Sequence, residues 1–171
     1  MTTSSRRVTA ACLLIAVVLA DLASGHGQAQ ESSTPTTVAV VREVLADGEP
    51  PSATGKSLQL VRFTIAPGTK LAVHTHPGMQ VAWLEAGMLR YTVISGEVPI
   101  TRAGSGLGTP GPAETLAAGQ TTTFRPGDSW VEPEGVVHFG ENIGSGPVVI
   151  LVSALFTIGE PSSSLVATPA A

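Results

Sequence analysis

The sequence predicts an all-β protein, built as a single small antiparallel β-barrel. Three observations predict it. Short runs rich in Val, Leu, Ile and Thr recur along the chain and partly alternate with polar residues. Turn pairs such as Pro67-Gly68, Pro77-Gly78, Ser95-Gly96 and Pro126-Gly127 punctuate those runs. No stretch carries a helical period with capping residues. Many short strands at this spacing build a sandwich or a barrel.

The first segment, 1–30, reads as a secretory signal peptide. Arg6 and Arg7 make a positive start, Ala10 to Ala20 an apolar centre, and Gly27 and Ala29 are the small residues before a cleavage site. The apolar run is about half of the ~20 residues a spanning helix needs, so no stable membrane anchor is expected. Ser5-Arg6-Arg7 leaves twin-arginine export open beside the general route. The expected location is secreted or periplasmic. Cys12, the only cysteine, lies in the apolar centre. The mature chain then has no disulfide, and its core must hold it.

Residues 31–160 read as the barrel. The candidate strands are Thr36–Leu45, Ser57–Ile65, Lys70–His74, Gln80–Leu84, Met88–Ser95, Thr121–Phe124, Ser129–Glu132, Val136–Asn142 and Val148–Ile158. Ala103 to Gly119 is rich in Gly and Pro and reads as a surface loop between two halves of the domain, with a lid over a pocket as the functional alternative. Residues 161–171 read as a flexible tail. From Glu31 onward the chain holds 12 acidic and 7 basic residues, a net charge of −5, without a basic stripe. Nucleic acid is therefore not an expected partner.

The histidines carry the functional signal. His26 sits at the cleavage region, which leaves three. His74 and His76 are one residue apart on a predicted strand, so both face the same side, roughly 7 Å apart at the backbone. Two imidazoles so placed can converge on one ion. His138, on a Val-rich strand, is the histidine left to supply a third ligand.

Those histidines lie in two patterned segments. The first runs Gly68, five residues, His74, one residue, His76, three residues, Gln80, six residues, Gly87. The second runs Gly127, five residues, Pro133, one residue, Gly135, two residues, His138, three residues, Asn142. In order and spacing they resemble the two signature motifs of the cupin family, specifically its single-domain conserved-barrel type. The resemblance spans about Thr36 to Ile158. It implies a cupin-like jelly roll holding one divalent transition metal ion on His74, His76, Gln80 and His138. Asn142 reads as a turn residue.

One position departs from the motif: Gln80 stands where the family usually carries Glu. A neutral amide leaves the ion's full charge uncompensated by the ligands. Gln80 then either ligates through its carbonyl oxygen or leaves a three-histidine face. Both arrangements favour an anionic ligand at the open positions and a stronger Lewis acid. Imidazole-rich sites suit Fe, Ni, Cu or Zn, and Mn where oxygen ligands join.

Other residues read as structural. Glu85, Trp83, Met79 and Phe139 alternate away from the ligands, which assigns Trp83 to a core or a subunit contact. Arg90 and Tyr91 read as surface or packing residues, and Trp130 as a residue near the second motif. Asp128, Glu132 and Glu134 read as a solvated acidic rim.

The resemblance implies a metal-dependent oxygenase, dioxygenase-like in its site, acting on a small organic molecule that is anionic or enolisable. The catalytic residues are unknown at this level. The alternatives are a non-catalytic ligand- or metal-binding and sensing module, and a Lewis-acid isomerase or decarboxylase. A homodimer is a further expectation, because small barrels with open sheet edges pair and the family commonly dimerises.

Overall fold

A computed structural model describes residues 39–106 and 109–167. The signal-peptide reading over 1–30, the start of the first candidate strand and residues 168–171 lie outside the described residues. Twelve strands follow in order: β1 Val40–Gly48, β2 Lys56–Ile65, β3 His74–Thr75, β4 Gly78–Ala86, β5 Leu89–Ser95, β6 Glu97–Ala103, β7 Pro110–Ala117, β8 Thr121–Phe124, β9 Ser129–Glu132, β10 Val137–Asn142, β11 Val148–Thr157 and β12 Ser164–Leu165. Among the described residues no helix is long and apolar enough to cross a membrane.

The strands form two antiparallel sheets, ordered β1-β2-β11-β4-β9-β6-β7 and β12-β3-β10-β5-β8. This is an all-β jelly roll, and its two sheets do not close into a continuous barrel. Period-two alternation decides what lies inside. Along β4, Gly78, Gln80, Ala82 and Leu84 are buried, whereas Met79, Val81, Trp83 and Glu85 are exposed. Along β5, Leu89, Tyr91 and Val93 are buried. The core is aliphatic, with Val61, Ile65, Leu84, Leu89, Val93, Val98 and Val148 fully enclosed. An aromatic stack of Phe124 on Trp130, ring centroids 4.1 Å apart, adds to it.

The four motif glycines do what turn glycines do. Gly68, Gly87, Gly127 and Gly135 all have positive φ, between 71° and 93°. At Gly87 a side chain is excluded twice over, since a Cβ would also stand 2.6 Å from the Pro147 carbonyl oxygen.

Three sequence readings change. The expected loop from Ala103 to Gly119 holds all of β7, and β6 precedes it as an unforeseen strand. The two pair with each other, and β6 continues the sheet beside β9. β7 is the sheet edge, where Pro110 and Pro112 are tolerated because one side of the strand lacks a partner. Within the expected tail, 161–171, Ser164–Leu165 form β12, which pairs with β3, Leu165 opposite His74. Trp83 is not a core residue, being 43% exposed on the outer face of the larger sheet.

Candidate metal centre

The site sits between the sheets, at one end of a cavity of about 360 Å³. His74 comes from β3, His76 from just beyond it, and His138 from β10, where it pairs directly with His74. A bulge at Val137/His138 in the pairing with β5 re-aims that strand at the site. The three side chains offer ligand atoms within 4.8 Å of one another. The fold thus brings His138 to the two histidines that strand spacing placed on one face.

Each ring is held from behind. His74 Nδ1 lies 2.7 Å from the Ala72 carbonyl oxygen, His76 Nδ1 2.7 Å from that of Ser162, and His138 Nδ1 3.4 Å from that of Val136. A carbonyl only accepts, so each Nδ1 carries the proton and each Nε2 keeps a free lone pair. Backbone-anchored imidazoles of one tautomer are how proteins present histidine to a metal. Stacking fixes the ring planes as well: His138 lies over Tyr91 and His76 over Phe156. By donor chemistry these residues fit a divalent transition metal ion.

Burial also keeps two of the rings uncharged. Burial pushes His138 down to about 4, against the attraction of Glu132, and the other two imidazoles add to the fall. Burial lowers His76 as well, with Glu132 opposing. Both rings are then neutral at neutral pH and need shed no proton to ligate.

Gln80 is buried on β4 with its amide beside Glu132, its direct partner on β9. Its Nε2 donates to Glu132 Oε2. Glu132 is not part of a solvated rim; it is 4% exposed and accepts two further hydrogen bonds on Oε1, from Tyr91 Oη and Trp130 Nε1, each 2.8 Å. Its carboxyl oxygens approach His76 Nε2 and His138 Nε2 to 3.5 Å. Burial alone would raise its pKa, but the two imidazoles and the Trp130 and Gln80 donors outweigh burial and hold the carboxyl below its usual value. Tyr91, also buried, is pushed up well above 10.0 by burial, then by the Glu132 charge and hydrogen bond, so it stays a proton donor.

Two neighbours of the second motif are therefore corrected. Asp128 is buried too, and ties Arg102 and the backbone N–H groups of Ala103 and Arg125. Only Glu134 of the three acids is exposed. Tyr91 is not a surface residue: it packs in the core, and its hydroxyl donates to Glu132 beside the histidines. Asn142 is the buried last residue of β10, and its side chain donates to the Ile65 and Gly146 carbonyls.

The rest of the cavity wall is apolar, formed by Val40, Phe63, Ile65, Leu71, Leu89 and Ile150 among others. Arg42 brings one cation to it, with its guanidinium 2.7 Å from Gln59 Oε1 and set over the Phe63 ring.

A two-sheet jelly roll with three histidines converging on its interior defines a small β protein with a candidate metal centre. The chain belongs to the cupin family, whose model, described as Cupin, matches residues 25–163. Solved structures similar to it include KdgF from Halomonas sp., at 16% identity, with 68% of this chain and 80% of that one covered and a TM-score of 0.44. DMSP lyase DddQ from Ruegeria pomeroyi DSS-3 matches at 20% identity, covering 74% and 51%, with a TM-score of 0.44. A salicylate 1,2-dioxygenase from Pseudaminobacter salicylatoxidans matches at 14% identity, covering 68% and 26%, with a TM-score of 0.42. Comparison with curated proteins gives no match.

Proposed function

We propose that this protein is an exported metal-dependent oxygenase whose substrate is a small, largely apolar molecule bearing an anionic or enolisable oxygen group. The observation that carries the reading is the triad of imidazoles, each pinned through Nδ1 to a backbone carbonyl and each leaving Nε2 to the cavity. His74, His76 and His138 would hold the ion, with the Gln80 carbonyl oxygen as fourth ligand. Bound there, an Fe, Mn, Ni, Cu or Zn ion supplies Lewis acidity, and a redox-active one supplies dioxygen chemistry as well.

The chain's own residues do the rest. The apolar wall desolvates the substrate body and keeps bulk water from the reacting end. A cavity of about 360 Å³ suits a small-molecule substrate. Arg42 favours entry of an anion. Tyr91 stays protonated and Glu132 stays ionised, so the polar floor keeps one charge state across neutral pH.

The test is elemental analysis of protein purified from its own host, followed by oxygen uptake with candidate diketones, phenols and thiols. Stoichiometric metal with substrate-dependent oxygen uptake is expected. Metal-free protein with intact histidines would refute the reading. Turnover under anaerobic conditions would replace the oxygenase with a Lewis-acid isomerase or decarboxylase, and tight binding without turnover would leave a sensing module.

The proposal extends to a homodimer through the outer face of the larger sheet. There Leu58 and Met79 flank Leu155 across β2, β11 and β4, and Leu60 and Val81 flank Ser153. Leu58, Leu60, Met79, Val81 and Trp83 are each 43–50% exposed, an apolar strip of the kind that marks protein contacts.

A further inference from the structure

We propose that Glu132 is the carboxylate of this centre. It supplies from β9 the charge that β4 lacks at position 80, and it orients the Gln80 amide so that its carbonyl oxygen is the atom left for the ion. The inference rests on the metal reading above and deepens it.

The first argument is register. Gln80 and Glu132 are directly paired residues on neighbouring strands, and both face inward. Moving a carboxylate from one to the other shifts it by one strand spacing, about 4.8 Å, on the same floor of the cavity. The second argument is the direction of the hydrogen bond. An amide has donors on one end and an acceptor on the other. With Nε2 on the Glu132 carboxylate, Oε1 is the free end. A carboxylate is an acceptor without a donor, so the reverse orientation would set two acceptors against each other.

The third argument is the cost of burying the acid. A charged carboxylate this deep needs partners. Tyr91 and Trp130 both spend their single donor on Oε1, and Gln80 spends one on Oε2. Three polar side chains are thus committed to keeping one acid ionised beside two imidazole Nε2 atoms, each 3.5 Å away. A core that needed only packing would be satisfied by apolar residues at the same positions. The charge lies where an ion between those nitrogens would be attracted to it, and the apolar walls of the cavity screen it weakly. Glu132 is accordingly a positioning and charge-compensating residue acting through Gln80.

The test compares metal affinity in chelator-stripped full-length protein, by calorimetric titration with Mn²⁺ and Co²⁺. Wild type, Glu132→Gln and the exchanged pair Gln80→Glu/Glu132→Gln are measured together. Glu132→Gln should bind about 10–100-fold more weakly. The exchanged pair, with the same groups across the same hydrogen bond, should recover to within a few-fold of wild type. The visible bands of bound Co²⁺ should change in the single variant and return in the pair. Wild-type affinity in folded Glu132→Gln would overturn the inference. So would an exchanged pair that binds as weakly as the single variant, or that fails to fold although it alters no shape. If Glu132→Gln alone does not fold, the exchanged pair decides. Absence of binding in wild type would instead refute the metal reading itself, which separates the two failures.

Discussion

Replacing Tyr91 by Phe removes one hydroxyl and keeps the ring that stacks on His138 and meets Phe124 edge-on. The lost group donates to Glu132 Oε1 at 2.8 Å. Trp130 still donates to that oxygen and Gln80 to the other, so the carboxylate loses one of three partners. A hydrogen bond to a charged group contributes about 1.5–3 kcal/mol. For a domain of this size the expected fall in Tm is roughly 5–12 °C. The effect has a pH signature. Glu132 has a folded pKa below its ordinary 4.5, so its contribution is present above that value and is lost as pH falls through the folded pKa. Urea unfolding of chelator-stripped wild type and Tyr91→Phe should therefore differ fully near neutral pH and converge in acid. An unchanged midpoint at neutral pH, or a difference that persists undiminished once the acid is protonated, would refute the account of Glu132 as a buried, ionised acceptor.

Other outcomes follow from the same geometry. His138 has a folded pKa of about 4 against an ordinary 6.5, so the metal-free protein should lose stability as pH falls through that window. His138 alone contributes about 3 kcal/mol to that loss and His76 adds to it, and a Tm profile that stays flat there would contradict the expectation. Ending the chain at Pro161 removes the Ser162 carbonyl behind His76 and should weaken metal binding about 10–100-fold in direct titration. Trp83→Asp on the outer face should convert the proposed dimer to a monomer in light scattering, without loss of metal affinity, since the side chain points away from the site.

The histidines were legible because strand spacing paired His74 with His76 and the second patterned segment held the one remaining histidine, His138. One residue between His74 and His76 puts both on one side of a strand, and the glycine positions around them admit few other residues. Glu132 was hidden by its type, since acids beside a turn are normally solvated. A readable signal was present nonetheless: in Ser-Trp-Val-Glu, Trp130 and Glu132 share a face, so burial of the tryptophan carries the acid inward. Tyr91 lies likewise on the face of Leu89 and Val93. β6 and β7 were missed for a different reason. Pro99 interrupts the alternation of Val98 and Ile100, and β7 is an edge strand with little apolar surface to bury. Edge pairing depends on a neighbour's open hydrogen bonds, which local composition does not record.

The bond between His76 and Ser162 joins residues 86 apart in the chain. Closing so long a loop is entropically slow, and β12 adds only two residues of pairing to repay it. The site is thus expected to be the last part of the domain to assemble and the first to open. Amide exchange at Val166, whose N–H is bonded to the Val73 carbonyl, would report that opening. An ion that binds only the closed form would stabilise it by mass action, so metal supply would set how long the end of the chain stays docked.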